Sequence, residues 1–219
     1  MTQTLTQLIS QVQAMFIDDG TRFTAATITA AVRQALKDFN AAAPVRAAET
    51  QAVVASQYEY ELTDITTIQV LDVLLEGTDS LHENHTPLAF TPYFEDGRAW
   101  IRLQTPLGSG ELIIRYTVPH TVSGLDSATE STLQAIWDAV LLDGACYYSC
   151  LIRAASRIEV VNLNADVADP WQSIAALYKL TFDLGLELAT RQPSARVPDK
   201  TWQPRTWNDE WHGYPYNLN

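Results

Sequence analysis

The first fifty residues carry apolar side chains at helical spacing, which predicts two helices. The first covers residues 3–16, where the apolar positions fall on one face. The polar turn "IDDGT" interrupts the pattern, and the second helix covers about 25–42 with Thr24 as its N-cap. Pro44 then ends the second helix. Two short helices joined by a turn indicate a helical hairpin.

The period then changes from nearly four residues to two, which predicts strands. "YEYEL" (58–62) alternates apolar and acidic residues, as a half-buried strand does, and "TIQVLDVLLEG" (67–77) follows as a second strand. Two further strands are predicted at 98–104 and 111–118. The turn sequence "PLGSG" between them favours a hairpin. These strands predict a small antiparallel sheet.

Helical spacing returns in a third helix of about residues 128–158. Ser127 and Glu130 match the S-x-x-E capping box, in which each side chain binds a backbone N–H at the start of a helix. The apolar surface is broad over 139–152, which is typical of a helix buried on more than one side.

A fourth helix covers about 170–190 and begins at Pro170, where proline removes no intrahelical hydrogen bond. Its apolar positions predict one continuous stripe, formed by Trp171, Ile174, Leu177, Tyr178, Leu184 and Leu188. Three prolines follow within 15 residues and end regular structure, which predicts an extended tail.

The order of elements predicts an α+β protein, mainly a bundle of about four helices. Residues 1–50 and 121–191 form the bundle, and residues 51–120 form a β insertion between its second and third helices. Residues 192–219 form an extended, aromatic C-terminal arm.

That arm ends in "WQPRTWNDEWHGYPYNLN", which holds three of the six tryptophans. An ordinary terminus is poor in large aromatic residues, because ordering it costs entropy that few contacts recover. One interpretation is that the arm folds back over its own domain and fills a groove. The other is that it docks on another chain. The residues that would make either contact are Trp202, Trp207, Trp211, Tyr214 and Tyr216.

Charge restricts the possible partners. The chain has 14 basic and 26 acidic residues, a formal net charge of −12. A surface that grips a phosphate backbone needs clustered Lys and Arg, so we expect no stable nucleic-acid binding. No apolar run approaches the ~20 residues that span a bilayer, and the N-terminus lacks the features of a signal peptide, so we expect no membrane partner.

No motif predicts a catalytic centre. Cys146 and Cys150 are four residues apart, but two thiols are too few for a structural zinc site, so we expect packed side chains in a reducing compartment. His82 and His85 have the wrong spacing for a zincin helix and are interpreted as loop residues. We therefore predict no catalytic residues, no metal site, no cofactor and no enzyme activity. The alternative is a hydrolase or carbohydrate-binding module that uses Trp100 on the β insertion as a sugar platform.

Several stretches resemble head-to-tail adaptor (connector) proteins of tailed bacteriophages. There a short helix leads to an aspartate-containing turn and to a second helix that ends in an "AL-dF" segment and a proline. The matching positions in "FIDDGTRFTAATITAAVRQALKDFNAAAP" are Asp18, Asp19, Ala35, Leu36, Phe39 and Pro44. "YEYELTDITTIQVLDVLLEG" resembles the strands of the family, and "LLDGACYYSCLIRAA" resembles its long helix. The likeness covers most of residues 5–190.

The resemblance implies a structural protein of the virion neck, made in the host cytoplasm. Such adaptors form a ring, usually of twelve subunits, beneath the portal protein. The ring extends the DNA channel and provides the platform for tail or neck proteins. The helical body forms the ring and a C-terminal segment commonly inserts into the portal, so the five aromatic residues above would form a portal-binding arm. The acidic composition suits a channel that DNA crosses without binding, since like charges repel. Another tail component, such as a tail terminator or a tube-associated protein, is the alternative.

Overall fold

The structure is a computed structural model that describes residues 3–63, 69–76, 86–160 and 170–191; the predicted arm, residues 192–219, lies outside it. The described part contains four α-helices and seven strands paired antiparallel, which confirms the α+β class. In chain order the elements are α1 (Leu5–Met15), α2 (Ala25–Ala42), β1 (Val45–Ala52), β2 (Glu59–Glu61), β3 (Gln69–Leu75), β4 (Thr86–Pro87), β5 (Phe90–Glu95), β6 (Arg98–Leu103), β7 (Glu111–Val118), a short 3₁₀ helix (Ala135–Trp137), α3 (Asp138–Val160) and α4 (Pro170–Arg191).

The first two helices begin at side-chain caps. At α1 the Thr4 N–H donates to Oε1 of Gln7 at 2.9 Å, and the Gln7 N–H donates to Oγ1 of Thr4 at 3.3 Å, which is a complete capping box. At α2 the Thr27 N–H donates to Oγ1 of Thr24 at 3.2 Å, so the predicted N-cap is confirmed. The span of α2 is the one that the sequence predicts.

The predicted start of the third helix is wrong. The helix α3 begins at Asp138, ten residues after the predicted position 128, and a single 3₁₀ turn precedes it. Ser127 does not cap a helix, because its backbone is left-handed with φ 69°.

The hydroxyl side chains before α3 bind the backbone of other segments instead of a helix start. Ser131 Oγ donates to the carbonyl of Gln3 at 2.7 Å and accepts the N–H of Ser123 at 2.8 Å. Oγ1 of Thr132 accepts the N–H of Thr121 at 2.8 Å. Such bonds compete with helix formation, and they tie the loop before α3 to the start of the chain.

The strands form two sheets, with orders β1-β7-β3-β4 and β2-β6-β5. The predicted hairpin between 98–104 and 111–118 is therefore wrong, although both strands exist. The strand β6 pairs with β2 and β5, whereas β7 pairs with β1 and β3. Residues 104–110 carry the chain from one sheet to the other. One apolar cluster joins the two sheets; its fully buried members include Leu62, Ile101, Leu103, Leu112 and Ile114.

Three strands were not predicted, namely β1, β4 and β5. The strand β5 forms a hairpin with β6 through Asp96 and Gly97, which both have positive φ (51° and 77°) as a type I′ turn requires. The strand β1 begins at Val45 and so crosses the predicted boundary at residue 50. The division of the chain into bundle, insertion and arm stays a prediction.

The helices pack around α3, which contacts both α2 and α4. Gly144 of α3 lies where all three helices meet: a Cβ there would stand 2.8 Å from Cβ of Ala35 in α2 and 2.7 Å from the ring of Phe182 in α4. A second close approach pairs Gly185 of α4 with Val140 of α3, where a Cβ would be 2.6 Å from both valine methyl groups. Neither position has room for a side chain, so the helices pack backbone to side chain.

Candidate interaction surface

The five aromatic residues of the predicted docking arm lie outside the described residues; they are Trp202, Trp207, Trp211, Tyr214 and Tyr216. Their role stays a prediction. The described part has a different exposed apolar surface, on α4.

The helix α4 has two apolar faces. The inward face is buried and consists of Ala175, Phe182, Gly185 and Ala189. The outward face consists of four leucines that keep half or more of their surface exposed: Leu177 (69%), Leu180 (61%), Leu184 (52%) and Leu188 (54%). Their spacing of three, four and four residues places them on one side of the helix, and we call them the leucine stripe.

The sequence predicts one continuous stripe on this helix, whereas the structure divides it. Trp171 and Tyr178 are half-buried and pack against the helical core. Leu177, Leu184 and Leu188 face away from it, and Leu180, which the prediction omitted, joins them. Period alone could not separate the two faces, but the small residues Gly185 and Ala189 are a sign of the inward one, since close helix contacts need small side chains.

An aromatic cluster fixes the first half of α4 against the α1–α2 turn. The ring of Phe16 stacks on Phe23 with a centroid distance of 4.5 Å. Both rings meet Trp171 edge to face, at 5.9 and 5.2 Å, and Phe16 also meets Tyr178 at 5.8 Å. The leucine stripe is therefore presented by a helix that is held firmly at its first three turns.

The α1–α2 turn is itself organised by Asp18. Its carboxylate accepts the backbone N–H groups of Phe23 at 2.7 Å and of Gly20 and Arg22 at 3.2 Å. Desolvation alone would raise the pKa of Asp18, but these N–H donors hold it below the usual value. Ile17 beside it has a left-handed backbone (φ 50°) and is almost fully exposed.

Charged residues on α4 form two ion pairs along the helix. Lys179 pairs with Asp183, and Glu187 pairs with Arg191, four residues apart in each case. The hydrogen bond to Asp183 raises the pKa of Lys179, and the charge of Asp38 on α2 raises it further.

Asp38 lies on the side of α2 that faces α3. The Tyr148 hydroxyl of α3 donates to Asp38, and Nε2 of Gln34 donates to the other carboxylate oxygen at 3.2 Å. Burial and then the bond to Asp38 raise the pKa of Tyr148 to about 12. The phenol is therefore protonated and donates this hydrogen bond across the physiological range.

The other side of α2 borders an open cleft of ≈ 560 Å³, which we call the α2 cleft. It lies between α2 and the segment after β7, and it is lined by Arg33, Leu36, Lys37, Asn40, Ala41, Pro119, His120, Leu125 and Asp126. Arg33 donates twice to Asp126, at 3.0 Å through Nε to one oxygen and through Nη2 to the other. Lys37 is exposed and forms no ion pair within the described residues.

His120 closes the inner wall of the α2 cleft. Its Nε2–H donates to the carbonyl of Ala43 at 3.0 Å, and Thr132 lies 3.4 Å from Nδ1. Its backbone N–H donates to Asn40 at 2.6 Å. Burial lowers the pKa of His120, and the two side-chain hydrogen bonds counter this only in part. The imidazole is therefore a neutral, structural group.

The described residues offer no metal site of three or more His, Cys, Asp or Glu side chains, and His82 and His85 lie outside them. Cys146 and Cys150 are free, buried thiols of α3, and burial raises the pKa of each to about 12. A thiol with so high a pKa is a poor nucleophile and a poor metal ligand. The two cysteines pack as small core side chains.

Trp100 lies on the outer face of the second sheet, beside an open cleft of ≈ 620 Å³. The two carboxylates of the neighbouring strand β2 are both held by arginines: Glu59 pairs with Arg102 at 2.6 Å and Glu61 pairs with Arg98 at 2.9 Å. Hydrolysis of a glycoside needs two carboxylates that flank the bond, one of them as an acid. Two ion-paired carboxylates on one strand of a sheet do not flank a bound sugar in this way.

One described segment, Ala135–Ser156, is long and apolar enough to cross a membrane by length and composition alone. It consists of the 3₁₀ turn and most of α3. Its residues Leu141, Ala145 and Cys146 are buried in the helical core. A helix that packs in a protein core passes the same test of length and composition, and these residues of α3 pack in the helical core.

No protein-family model and no curated protein matches the sequence. Two solved structures are similar to it over most of its length. One is the neck of an empty GTA particle computed with C6 symmetry, with 15% identity over 72% of this chain and 78% of that chain and a TM-score of 0.27. The other is the neck of a native GTA particle computed with C12 symmetry, with 14% identity over 79% of this chain and 86% of that chain and a TM-score of 0.27. A TM-score of 0.27 does not establish a shared fold, so the function has to be argued from the surfaces and sequence of this chain.

Proposed function

We propose that this chain is a structural virion protein, a head-to-tail adaptor that forms a ring under the portal protein, extends the DNA channel and provides the platform for the tail. The observation that carries the proposal is the leucine stripe of α4. The sequence resemblance to connector proteins supplies the kind of assembly in which such a surface becomes buried.

An exposed row of four leucines favours contact with another chain. Contiguous apolar surface is rare on monomeric proteins, and where it occurs it commonly marks an interaction site. The stripe lies on a helix fixed by the aromatic cluster and by the close contact of Gly185 with Val140, so its geometry is set before any partner binds. A subunit that buries this stripe against a different surface of its neighbour can close into a ring.

The charge of the chain agrees with a channel that DNA crosses. With a net charge of −12 the protein repels a phosphate backbone and does not hold it. In this proposal the DNA passes without specific contacts, and the partners that bind stably are neighbouring subunits, the portal protein, and tail or neck proteins.

The stripe gives a direct experiment. Leu180→Glu introduces a charge at the centre of the stripe, and Phe94→Glu introduces the same charge at a side chain of similar exposure on β5. Mass photometry and electron microscopy, with and without portal protein, should show rings for the unchanged protein and for Phe94→Glu. Leu180→Glu should remain monomeric with an unchanged melting temperature. Normal rings from Leu180→Glu would remove the main support for the proposal, and the absence of rings in the unchanged protein with portal present would refute it.

The arm has its own test. We propose that Trp202, Trp207 and Trp211, with the two tyrosines after them, bind the portal, because buried Trp and Tyr residues are typical hot spots of interfaces. Deletion of residues 198–219 should leave the helices folded by circular dichroism and prevent binding to portal protein. If the truncated chain binds portal with the affinity of the full chain, the arm is not the portal contact, and packing on its own domain becomes the better interpretation.

A further inference from the structure

The α2 cleft favours an occupant that is apolar and carries a negative charge. Its volume of ≈ 560 Å³ falls within the range of pockets that bury ligands. Its apolar lining consists of Leu36, Ala41, Pro119 and Leu125. Of the two cations at its rim, Arg33 is paired with Asp126, whereas Lys37 forms no ion pair among the residues that the structure describes. An occupant therefore needs apolar side chains and a carboxylate close to Lys37.

The helix α4 carries the chain to the level of this cleft. At its start Trp171 meets Phe23, which immediately precedes the cap of α2. Further along α4, Phe182 lies beside Ala35 of α2, because both side chains border the same glycine of α3. The two helices therefore run side by side in the same direction, and Arg191 at the end of α4 lies about 13 Å beyond Phe182. This is the level of the last turn of α2, where the cleft lies.

The predicted arm is long enough to reach the cleft. Residues 192–219 follow Arg191 directly, and Trp202 is 11 residues after it. A chain of this length spans at most about 36–40 Å when extended, whereas a helix with its side chains is only about 10–12 Å wide. The tryptophans can therefore pass around α2 to the side on which the cleft opens.

The composition of the arm matches the lining and the rim of the cleft. Trp207 and Trp211 lie on either side of Asp209 and Glu210, so one short segment supplies two large apolar rings and two carboxylates. The rings suit the apolar lining, and the carboxylates suit Lys37 at the rim.

Net charge favours the arm over a second copy as the occupant. The arm contains three basic and three acidic residues and is therefore neutral, so the net charge of −12 lies entirely on residues 1–191. Two copies would bring like charges together, whereas the arm meets no net repulsion. A segment tethered to the same chain also has an effective concentration on the order of millimolar.

We propose that residues 207–211 of the arm dock in the α2 cleft of their own subunit before assembly and leave it when the arm binds portal protein. The release rests on the proposed function, whereas the docking needs only one chain. The cleft thus keeps the tryptophans away from water in the free subunit, and portal protein has to displace them from it.

Cysteine crosslinking within one chain tests the docking. Ala41→Cys places an exposed thiol in the cleft, and Asn208→Cys places one between the two tryptophans. The native thiols are buried, with pKa raised to about 12. With a short bismaleimide at low protein concentration, the double variant should form an internal crosslink, seen as faster migration of the monomer on a denaturing gel. Ala30→Cys combined with Asn208→Cys is the matched control and should not crosslink, because Ala30 is exposed on the same side of α2 about three turns before Ala41.

The other outcomes separate the docking from the adaptor function. Equal crosslinking of the two double variants, or none in either, would overturn the docking, while rings in the microscope would still support the adaptor function. Dimers from a mixture of the single variants Ala41→Cys and Asn208→Cys would place the arm in the cleft of another copy and overturn the inference as well. An internal crosslink in a chain that neither binds portal protein nor forms rings would support the docking and refute the adaptor function.

The affinity for portal protein tests the release. If the docked arm is favoured about tenfold over the free arm, a variant that frees the arm should bind portal protein about tenfold more tightly. Lys37→Glu should have this effect, because it repels Asp209 and Glu210 from the cleft. Arg98→Glu on β6 makes the same change in charge outside the cleft and should leave the affinity unchanged. Weaker binding of Lys37→Glu, or an equal gain from Arg98→Glu, would overturn the release.

Discussion

The two faces of α4 differ in a way that hydrophobicity does not predict. The outward face has four leucines, while the inward face has the buried Phe182, Ala175, Gly185 and Ala189 and the half-buried rings of Trp171 and Tyr178. Both faces thus carry large apolar side chains, and hydrophobicity alone does not tell them apart. The inward face is buried because its shape matches that of α3. Phe182 occupies the space above Gly144, and Val140 occupies the space above Gly185. The leucines have no such counterpart within the described residues, and this is why we propose that they form a contact between chains.

The largest expected effect on stability comes from removing the buried ring of Phe182. Phe182→Ala should reduce the free energy of unfolding by about 3–5 kcal/mol, because it removes buried apolar surface and leaves a cavity between α3 and α4. Urea denaturation followed by circular dichroism measures the change. Leu184→Ala, on the outward face of the same helix, should change stability by no more than about 0.5 kcal/mol. Equal losses from the two variants would mean that the outward face is buried in the isolated protein.

A smaller effect is expected where the backbones of α3 and α4 approach. Gly185→Ala gains about 1 kcal/mol of helix propensity but forces a Cβ to within 2.6 Å of both methyl groups of Val140. A valine in a helix has one strongly preferred rotamer, so it cannot turn away. Overpacking costs about 1–3 kcal/mol, so we expect a net loss of about 1 kcal/mol in the free energy of unfolding, measured by urea denaturation. Ser173→Ala on the exposed side of α4 is the control and should not destabilise; a stabilising Gly185→Ala would show that the contact is loose.

The smallest expected effect concerns His120, which lies at the inner wall of the α2 cleft. The pKa of His120 in the folded protein lies below the ordinary value of 6.5, so the unfolded chain binds the proton more readily. Its contribution is therefore fully present above pH 6.5 and is lost as the pH falls from there through the folded pKa. His120→Gln keeps a donor for Ala43 and should flatten this dependence between pH 7.5 and 5.5, as measured by urea midpoints. An unchanged slope in the variant would assign the pH dependence to other groups.

The helix α2 was predictable because its local signals agree. Thr24 caps it, the apolar positions keep one period throughout, and Pro44 follows its end. The start of α3 was not predictable, because S-x-x-E is a short motif and hydroxyl side chains have other backbone groups to bind. Ser131 binds Gln3, which is 128 residues away in sequence, and no local pattern contains that information.

The strands show the same limit at the level of pairing. Alternation located β6 and β7 almost to the residue, but the turn sequence between them could not tell whether the chain returns to the same sheet or crosses to another. A local signal does exist for the hairpin of β5 and β6, since Asp96-Gly97 between alternating residues is a strong hairpin sequence. The candidate surface was predictable only in part: composition pointed to the aromatic arm, whereas the exposure of Leu180 follows from which face of α4 fits α3.

The reciprocal contacts of α3 and α4 have a mechanical consequence. At one level Phe182 of α4 enters a space above Gly144, and at the other Val140 of α3 enters a space above Gly185. Because each helix inserts a side chain into the other, neither can slide along the shared axis without forcing both side chains out of their spaces. A force applied to the outer side of α4 is then transmitted to the rest of the subunit as shear across two fixed points. The arrangement therefore suits α4 to carry a load from a partner bound on its outer side into the rest of the subunit.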